Sequence, residues 1–163
     1  MMNNDTRQAW VTFLGQRAFS HAVTLKPNHR TERSSPQFLR SAFTRFHRDV
    51  DQFLIGPRYH KPSKRHLRTE AIGIMEGLPL TGHIHAAFRL PADRWNDFEG
   101  LFRPLNGDVT VNPKWVNPWA WRIAGGTSHV ERITDSDGWM SYSTKYFNED
   151  DVTDRIIFLP FDA

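Results

Sequence analysis

The chain contains no cysteine. That excludes disulfides and thiolate metal sites, and it is compatible with a reducing cytoplasm, the compartment expected here. Also missing is any apolar run approaching a membrane span, and the polar start Met1–Arg7 is not a secretion signal, so no membrane partner is expected. No Gly-x-x-x-x-Gly-Lys-Ser/Thr phosphate loop is present, which argues against a nucleotide-driven motor. Excess charge is scarce, since 21 Lys and Arg stand against 18 Asp and Glu for a net charge of +3. Repeats and low-complexity tracts are absent, and 163 residues suit a single domain, 1–163, with a sizeable core.

What is present is concentrated in short signals. The first is His83-Ile84-His85. On a strand, residues two apart share a face, so the two imidazoles stand side by side with Ile84 turned to the opposite layer. Ile72–Glu76 reads as a preceding strand and Gly77–Gly82 as the turn between them, a hairpin that sets Glu76 opposite the histidines. Two nitrogens and one oxygen suit Mn or Zn, and leave positions for Mg with water and phosphate oxygens. The same pair also reads as a half-exposed polar strand face with no metal.

The second signal is Tyr142-Ser143-Thr144-Lys145-Tyr146. A helix over Gly138–Asn148, entered through a capping turn at Asp135–Gly138, puts Tyr142, Lys145 and Tyr146 on one face. A phenol, with a reference pKa near about 10, attacks a phosphodiester only if a cation favours the phenolate and the phosphate charge is offset. Lys145 can do the first and a divalent metal the second. Alternatively, Trp139, Met140, Tyr142, Tyr146 and Phe147 form the buried stripe of an amphipathic helix.

These residues resemble the HUH endonuclease superfamily, in particular the catalytic domain of rolling-circle replication initiators. His21-Ala22-Val23-Thr24-Leu25-Lys26-Pro27 is similar to motif I, His83-Ile84-His85 to the metal-binding motif II, and Tyr142 to Lys145 to motif III. The resemblance covers about residues 20 to 150. It implies an α+β fold of the ferredoxin-like kind, and a metal held by Glu76, His83 and His85, with Mn or Mg expected. It further implies nicking of single-stranded DNA at an origin hairpin or nick site, through a 5′-phosphotyrosine on Tyr142. Tyr146 sits where some initiators carry a second tyrosine, but Glu149 replaces the lysine that would follow it. Tyr142 is therefore the expected nucleophile and Tyr146 a candidate helper. With no helicase domain expected in the chain, a host helicase and polymerase are the expected partners, and the enzyme is expected to be a monomer or weak oligomer.

Arg58 to Arg68 holds five Lys or Arg, two His and no acid. Arg58, Lys61, Lys64, Arg65 and Arg68 can track a phosphate backbone while Tyr59 stacks on a base; the stretch reads equally as a solvated loop. Lys26 and Arg30, with His29 and Arg33, form a smaller basic cluster after motif I. Other readings of the whole remain. A relaxase or transposase uses the same chemistry, a non-catalytic origin-binding or repressor module would use the basic and aromatic residues alone, and a cupin-like hydrolase would ignore Tyr142.

The expected elements run in alternation. They are a strand over Ala18–Leu25 and a helix from Ser34-Ser35-Pro36 to about Phe53, with a stripe of Phe38, Leu39, Ala42, Phe46, Val50 and Phe53. The hairpin Thr69–Glu76 and His83–Leu90 follows, then a helix from Pro91 to near Phe102. Strands are expected at Ala120–Ala124 and His129–Ile133, the tyrosine helix next, and a last strand at Arg155–Leu159. This is an α+β domain, a mostly antiparallel sheet of about five strands flanked by helices. In the Asn106–Pro118 loop and just beyond it, Trp115, Trp119 and Trp121 read as anchors, or as shelves for bases. His129 reads as an ordinary strand residue.

Overall fold

The computed structural model of the chain describes residues 4–27, 31–104, 112–145 and 152–160. Its centre is a five-stranded sheet in the order β4-β1-β3-β2-β5, with every neighbouring pair antiparallel. The strands are β1 (His21–Lys26), β2 (Glu70–Glu76), β3 (His83–Arg89), β4 (Thr127–Arg132) and β5 (Ile156–Leu159). The helices are α1 (Asn4–Gly15), α2 (Pro36–Ile55), α3 (Trp95–Gly100), α4 (Pro113–Val116), α5 (Pro118–Arg122), α6 (Ser136–Ser143) and α7 (Val152–Arg155). The fold is α+β, as the sequence indicates.

Strand alternation divides the sheet into two faces. On one face Val23, Leu25, Met75, Ile84, Ala86 and Phe88 pack against α2, α3 and α5. The helix α2 begins where Ser35 accepts a hydrogen bond from the Phe38 N–H with Pro36 at its first turn, and it ends at Gly56, whose φ is 105°. Its buried stripe is Leu39, Phe43, Phe46, Val50 and Leu54, displaced from the expected one. Phe53 lies off that stripe, 37% exposed, and packs on the ring of Trp115 instead.

The other face is thinner. Ile72, Ile74, Ala87 and Ile156 meet Val11 and Leu14 of α1 and Met140 of α6. α1 was not anticipated from the sequence, and it seals half of this face. Further along the same face the apolar residues give way to Glu76, His83 and His85.

Three expected boundaries change. The strand expected at Ala120–Ala124 is the helix α5, because Asn117 caps it by accepting from the Ala120 N–H and Pro118 occupies its first turn. The tyrosine helix runs from Ser136 to Ser143 rather than from Gly138 to Asn148. The stretch over Arg58–Arg68 is not simple loop, since Pro62–Leu67 forms a 3-10 helix.

Two buried acids of α2 fasten the connections. Asp51 accepts from the Thr69 N–H at 2.9 Å and Arg68 Nε at 2.8 Å, while Asp49 pairs with Arg122 and lies 3.1 Å from Lys114 Nζ. Removing one partner of such a buried set costs about 3–5 kcal/mol. Trp119, 1% exposed, donates its indole N–H to the Lys26 carbonyl at 2.9 Å, so at this tryptophan the anchor reading holds.

Candidate active site

The hairpin register sets Glu76 directly opposite His83 and Ile74 opposite His85, so the carboxylate and both imidazoles share one face. The tight turn between them has specific requirements. Gly77 has a φ of +70°, and a side chain there would also collide with the Thr81 carbonyl at 2.6 Å. Ser34, from the segment before α2, accepts from the Gly82 N–H at 3.0 Å and donates to the Leu80 carbonyl at 3.2 Å. The turn is thereby docked on the body of the protein.

Glu76 Oε2 lies 3.7 Å from His83 Nε2 and 3.5 Å from His85 Nε2. Counting one ligand atom per residue, the three lie within 4.8 Å of one another, a group that can hold a metal ion. Glu76 is 6% exposed, and its Oε1 is buried without a hydrogen-bond partner among the described residues. A buried carboxylate oxygen with no donor is costly unless a cation balances it, so the donor set fits a divalent ion.

Each imidazole has a partner at Nδ1, which leaves Nε2 to face the centre of the group. His83 Nδ1–H donates to the Thr81 carbonyl at 2.9 Å, which leaves the Nε2 lone pair toward Glu76. His85 Nδ1 lies 3.3 Å from Thr24 Oγ1; with Nδ1–H donating to that hydroxyl, Nε2 is again the free nitrogen. The nearby Glu76 carboxylate raises the His83 pKa above its ordinary value, whereas burial lowers that of His85 despite the same carboxylate. Of the two imidazoles, His83 is therefore the one whose protonated form the cluster favours.

Asp135 starts α6 by accepting from the Gly138 N–H at 2.9 Å, and the helix carries Tyr142 over the histidines. The Tyr142 ring, 55% exposed, meets His85 at a centroid distance of 6.1 Å. Lys145 Nζ sits 3.5 Å above the centre of that same ring, on its face. Arg7 of α1 donates to the Ser141 carbonyl at 2.7 Å, holding the turn before the tyrosine. Glu76, His83, His85, Tyr142 and Lys145 all line one open cleft of about 760 Å³.

Not every expected site residue gathers there. Lys26 is exposed on the rim of the cleft. Arg58 and Lys61 are exposed and Lys64 half-buried in the segment ahead of β2, outside the cleft lining. Tyr59 is half-buried with the Arg68 guanidinium 5.6 Å over its ring, and Arg68 is also held by Asp51. Arg65 and Arg68 line a different cleft. Tyr146 and Arg30 lie outside the described residues, as do His29 and Glu149. Arg33 donates to the Ala124 carbonyl at 3.1 Å.

Two neighbours, Thr24 of the motif I stretch and His129, were not among the expected site residues. Thr24 pairs with His85 on one side and His129 on the other, so all three share a row across the sheet. His129 is exposed and lines the cleft. His21, by contrast, points to the opposite face, fully buried between Ser20 Oγ at 2.8 Å and Glu99 Oε1 at 3.0 Å. Among the described residues no helix is long and apolar enough to cross a membrane. Compared with family models, curated proteins and solved structures, the chain matches none.

Proposed function

We propose that the protein is a metal-dependent tyrosine endonuclease of the HUH kind, which nicks and rejoins single-stranded DNA to start rolling-circle replication. The observation that carries the reading is the meeting of Tyr142 with His85 in one cleft with Glu76 and His83. A phenol needs a phosphate brought to it and a charge sink beside it; a metal on Glu76, His83 and His85 would serve the first and Lys145 the second.

Glu76, His83 and His85 would hold Mn or Mg, which supplies polarisation of the scissile phosphate and offsets its charge. Tyr142 Oη attacks phosphorus in line with the P–O3′ bond. The new O–P bond forms as the P–O3′ bond breaks, so the strand leaves with a 3′-hydroxyl and the 5′-phosphate stays on the tyrosine. The phenol gives up its proton and the departing 3′-oxygen takes one up, which balances the step. Lys145, already against the ring, opposes the negative charge that gathers on the phenolic oxygen and the phosphate. Attack by an incoming 3′-hydroxyl reverses the sequence and reseals the strand.

In this reading the 3′-hydroxyl primes a host polymerase, and a host helicase separates the strands. The test is incubation with Mn and a pool of random single-stranded oligonucleotides, followed by a denaturing gel and intact mass. An adduct present with the native chain and absent with Tyr142→Phe is the expected result. Oligonucleotide binding with no adduct from the native chain would favour a silent origin-binding module instead.

A further inference from the structure

At the opposite end of β2 from Glu76 lies a second cleft, of about 560 Å³, which the tyrosine chemistry does not use. Phe13 near the end of α1, Arg17 just after it, Phe158 from the edge strand β5, and Arg65, Arg68 and Arg89 line it. Phe13 and Phe158 are 42% and 37% exposed, although each belongs to an aromatic cluster that includes Trp10. Trp10 stacks behind Phe158 with ring centroids 6.3 Å apart, and the Arg17 guanidinium stands 5.0 Å over the ring of Phe13.

The charge around this shelf is one-sided. Among the described residues of the lining Glu70 is the one acid, paired with Arg89 and 3.8 Å from Arg17. One carboxylate against four arginines leaves the rim positive even with Arg68 committed to Asp51. Guanidinium groups match phosphate oxygens two at a time, and exposed aromatic faces stack on bases of any sequence. Phe13 meets Phe158 edge to face, with planes 74° apart, so the exposed ring of Phe158 is the planar element, and together with the guanidinium rim it suits a nucleic-acid strand. An acidic peptide would satisfy the arginines and leave the shelf without a planar partner.

We propose that this cleft binds the unpaired flank of a single DNA strand, a base stacking on Phe158 with Phe13 at its edge, and its phosphates on the arginine rim. The choice of DNA rests on the nuclease reading, whereas the cleft itself does not depend on metal or Tyr142. The seven residues of β2 separate the two clefts, about 20 Å at roughly 3.3 Å per residue. A strand a few nucleotides long therefore reaches from the shelf to the tyrosine, so the second cleft selects how the DNA enters the first.

The test is fluorescence anisotropy of the full chain with fluorescein-labelled oligothymidines of about 4 and about 16 nucleotides, the span of site sizes for such binding, in EDTA and over a salt series. Phe158→Leu, which keeps apolar volume but loses the ring face, should weaken binding about fivefold or more. Arg17→Gln should reduce the slope of log affinity against log salt by about 0.7, the share of one phosphate contact on a single strand. Phe13→Leu is the second probe of the shelf if Phe158→Leu shifts the urea midpoint. Unchanged affinity and salt slope in Arg17→Gln and the folded shelf variant would overturn the proposal, as would tighter binding of polyglutamate than of oligothymidine. Because EDTA removes the nicking step, failure to form a tyrosine adduct leaves this outcome readable.

Discussion

The imidazole of His85 meets the ring of Tyr142 edge to face, with centroids 6.1 Å and planes 87° apart. His85 thus faces a candidate nucleophile on one side and Glu76 on the other, and its orientation governs both. That orientation comes from a neighbouring strand: Thr24 of β1, directly opposite His85, places its hydroxyl 3.3 Å from Nδ1. The resemblance to motif I rests partly on this threonine, and its contact with His85 gives it a physical task.

Thr24→Val tests that task with almost no change in shape. Losing the hydroxyl frees the ring and its tautomer, so Mn affinity measured by calorimetry should fall about 10- to 100-fold. Thr24→Ser should restore it. An affinity equal to that of the native chain would remove Thr24 from the site.

Metal binding should also be visible as stability and as protons. At a free Mn concentration about 100 times Kd, the native fold gains about 2.7 kcal/mol, seen as a rise in Tm that Glu76→Gln abolishes. The raised pKa of His83 means that it carries a proton at and somewhat above about pH 6.5 and must lose it to bind. His85, with its pKa lowered, has none to give in that range. Affinity should therefore climb as pH rises through the His83 titration, by up to about tenfold per unit, with about one proton released to buffer. A flat affinity from about pH 6 to about pH 8 would contradict the protonation of His83 by Glu76.

The metal hairpin was legible in the sequence because every feature that makes it is local. Alternation gives the face, and the Gly77–Gly82 turn gives the register. Asp135 likewise announces α6. What escaped depends on distant partners. Trp10, Val11 and Leu14 are too sparse a pattern to declare a helix, and α1 is stabilised by packing on the sheet. In Trp119-Ala120-Trp121-Arg122-Ile123 the alternation imitates a strand, although Asn117-Pro118 carries the stronger helix-start signal. Nor does sequence alone show that Asp49 and Asp51 are buried in α2, so Arg68 looked available for phosphate when it is bound to Asp51.

Acid should unfold the protein partly through histidines remote from the Glu76, His83 and His85 group. His47 is 1% exposed, with Nε2 3.0 Å from the Thr69 carbonyl and Nδ1 4.0 Å from Asp51. Its pKa is lowered from 6.5, chiefly by burial, with Arg68 and Arg48 adding to the effect and Asp51 opposing it. His21 is lowered in the same direction, again chiefly by burial and against the pull of Glu99. An unfolded chain protonates these imidazoles near pH 6.5 while the folded one still resists, so the unfolded state binds more protons as pH falls below that value. Stability should decline from there toward the folded pKa of each group, with a slope of up to about 1.36 kcal/mol per pH unit for each. His47→Gln, whose amide can still donate to the Thr69 carbonyl, should lose some stability at neutral pH yet show a shallower decline in urea unfolding between about pH 6.5 and about pH 5. Parallel declines in the two proteins would show that His47 is not one of the groups through which acid acts.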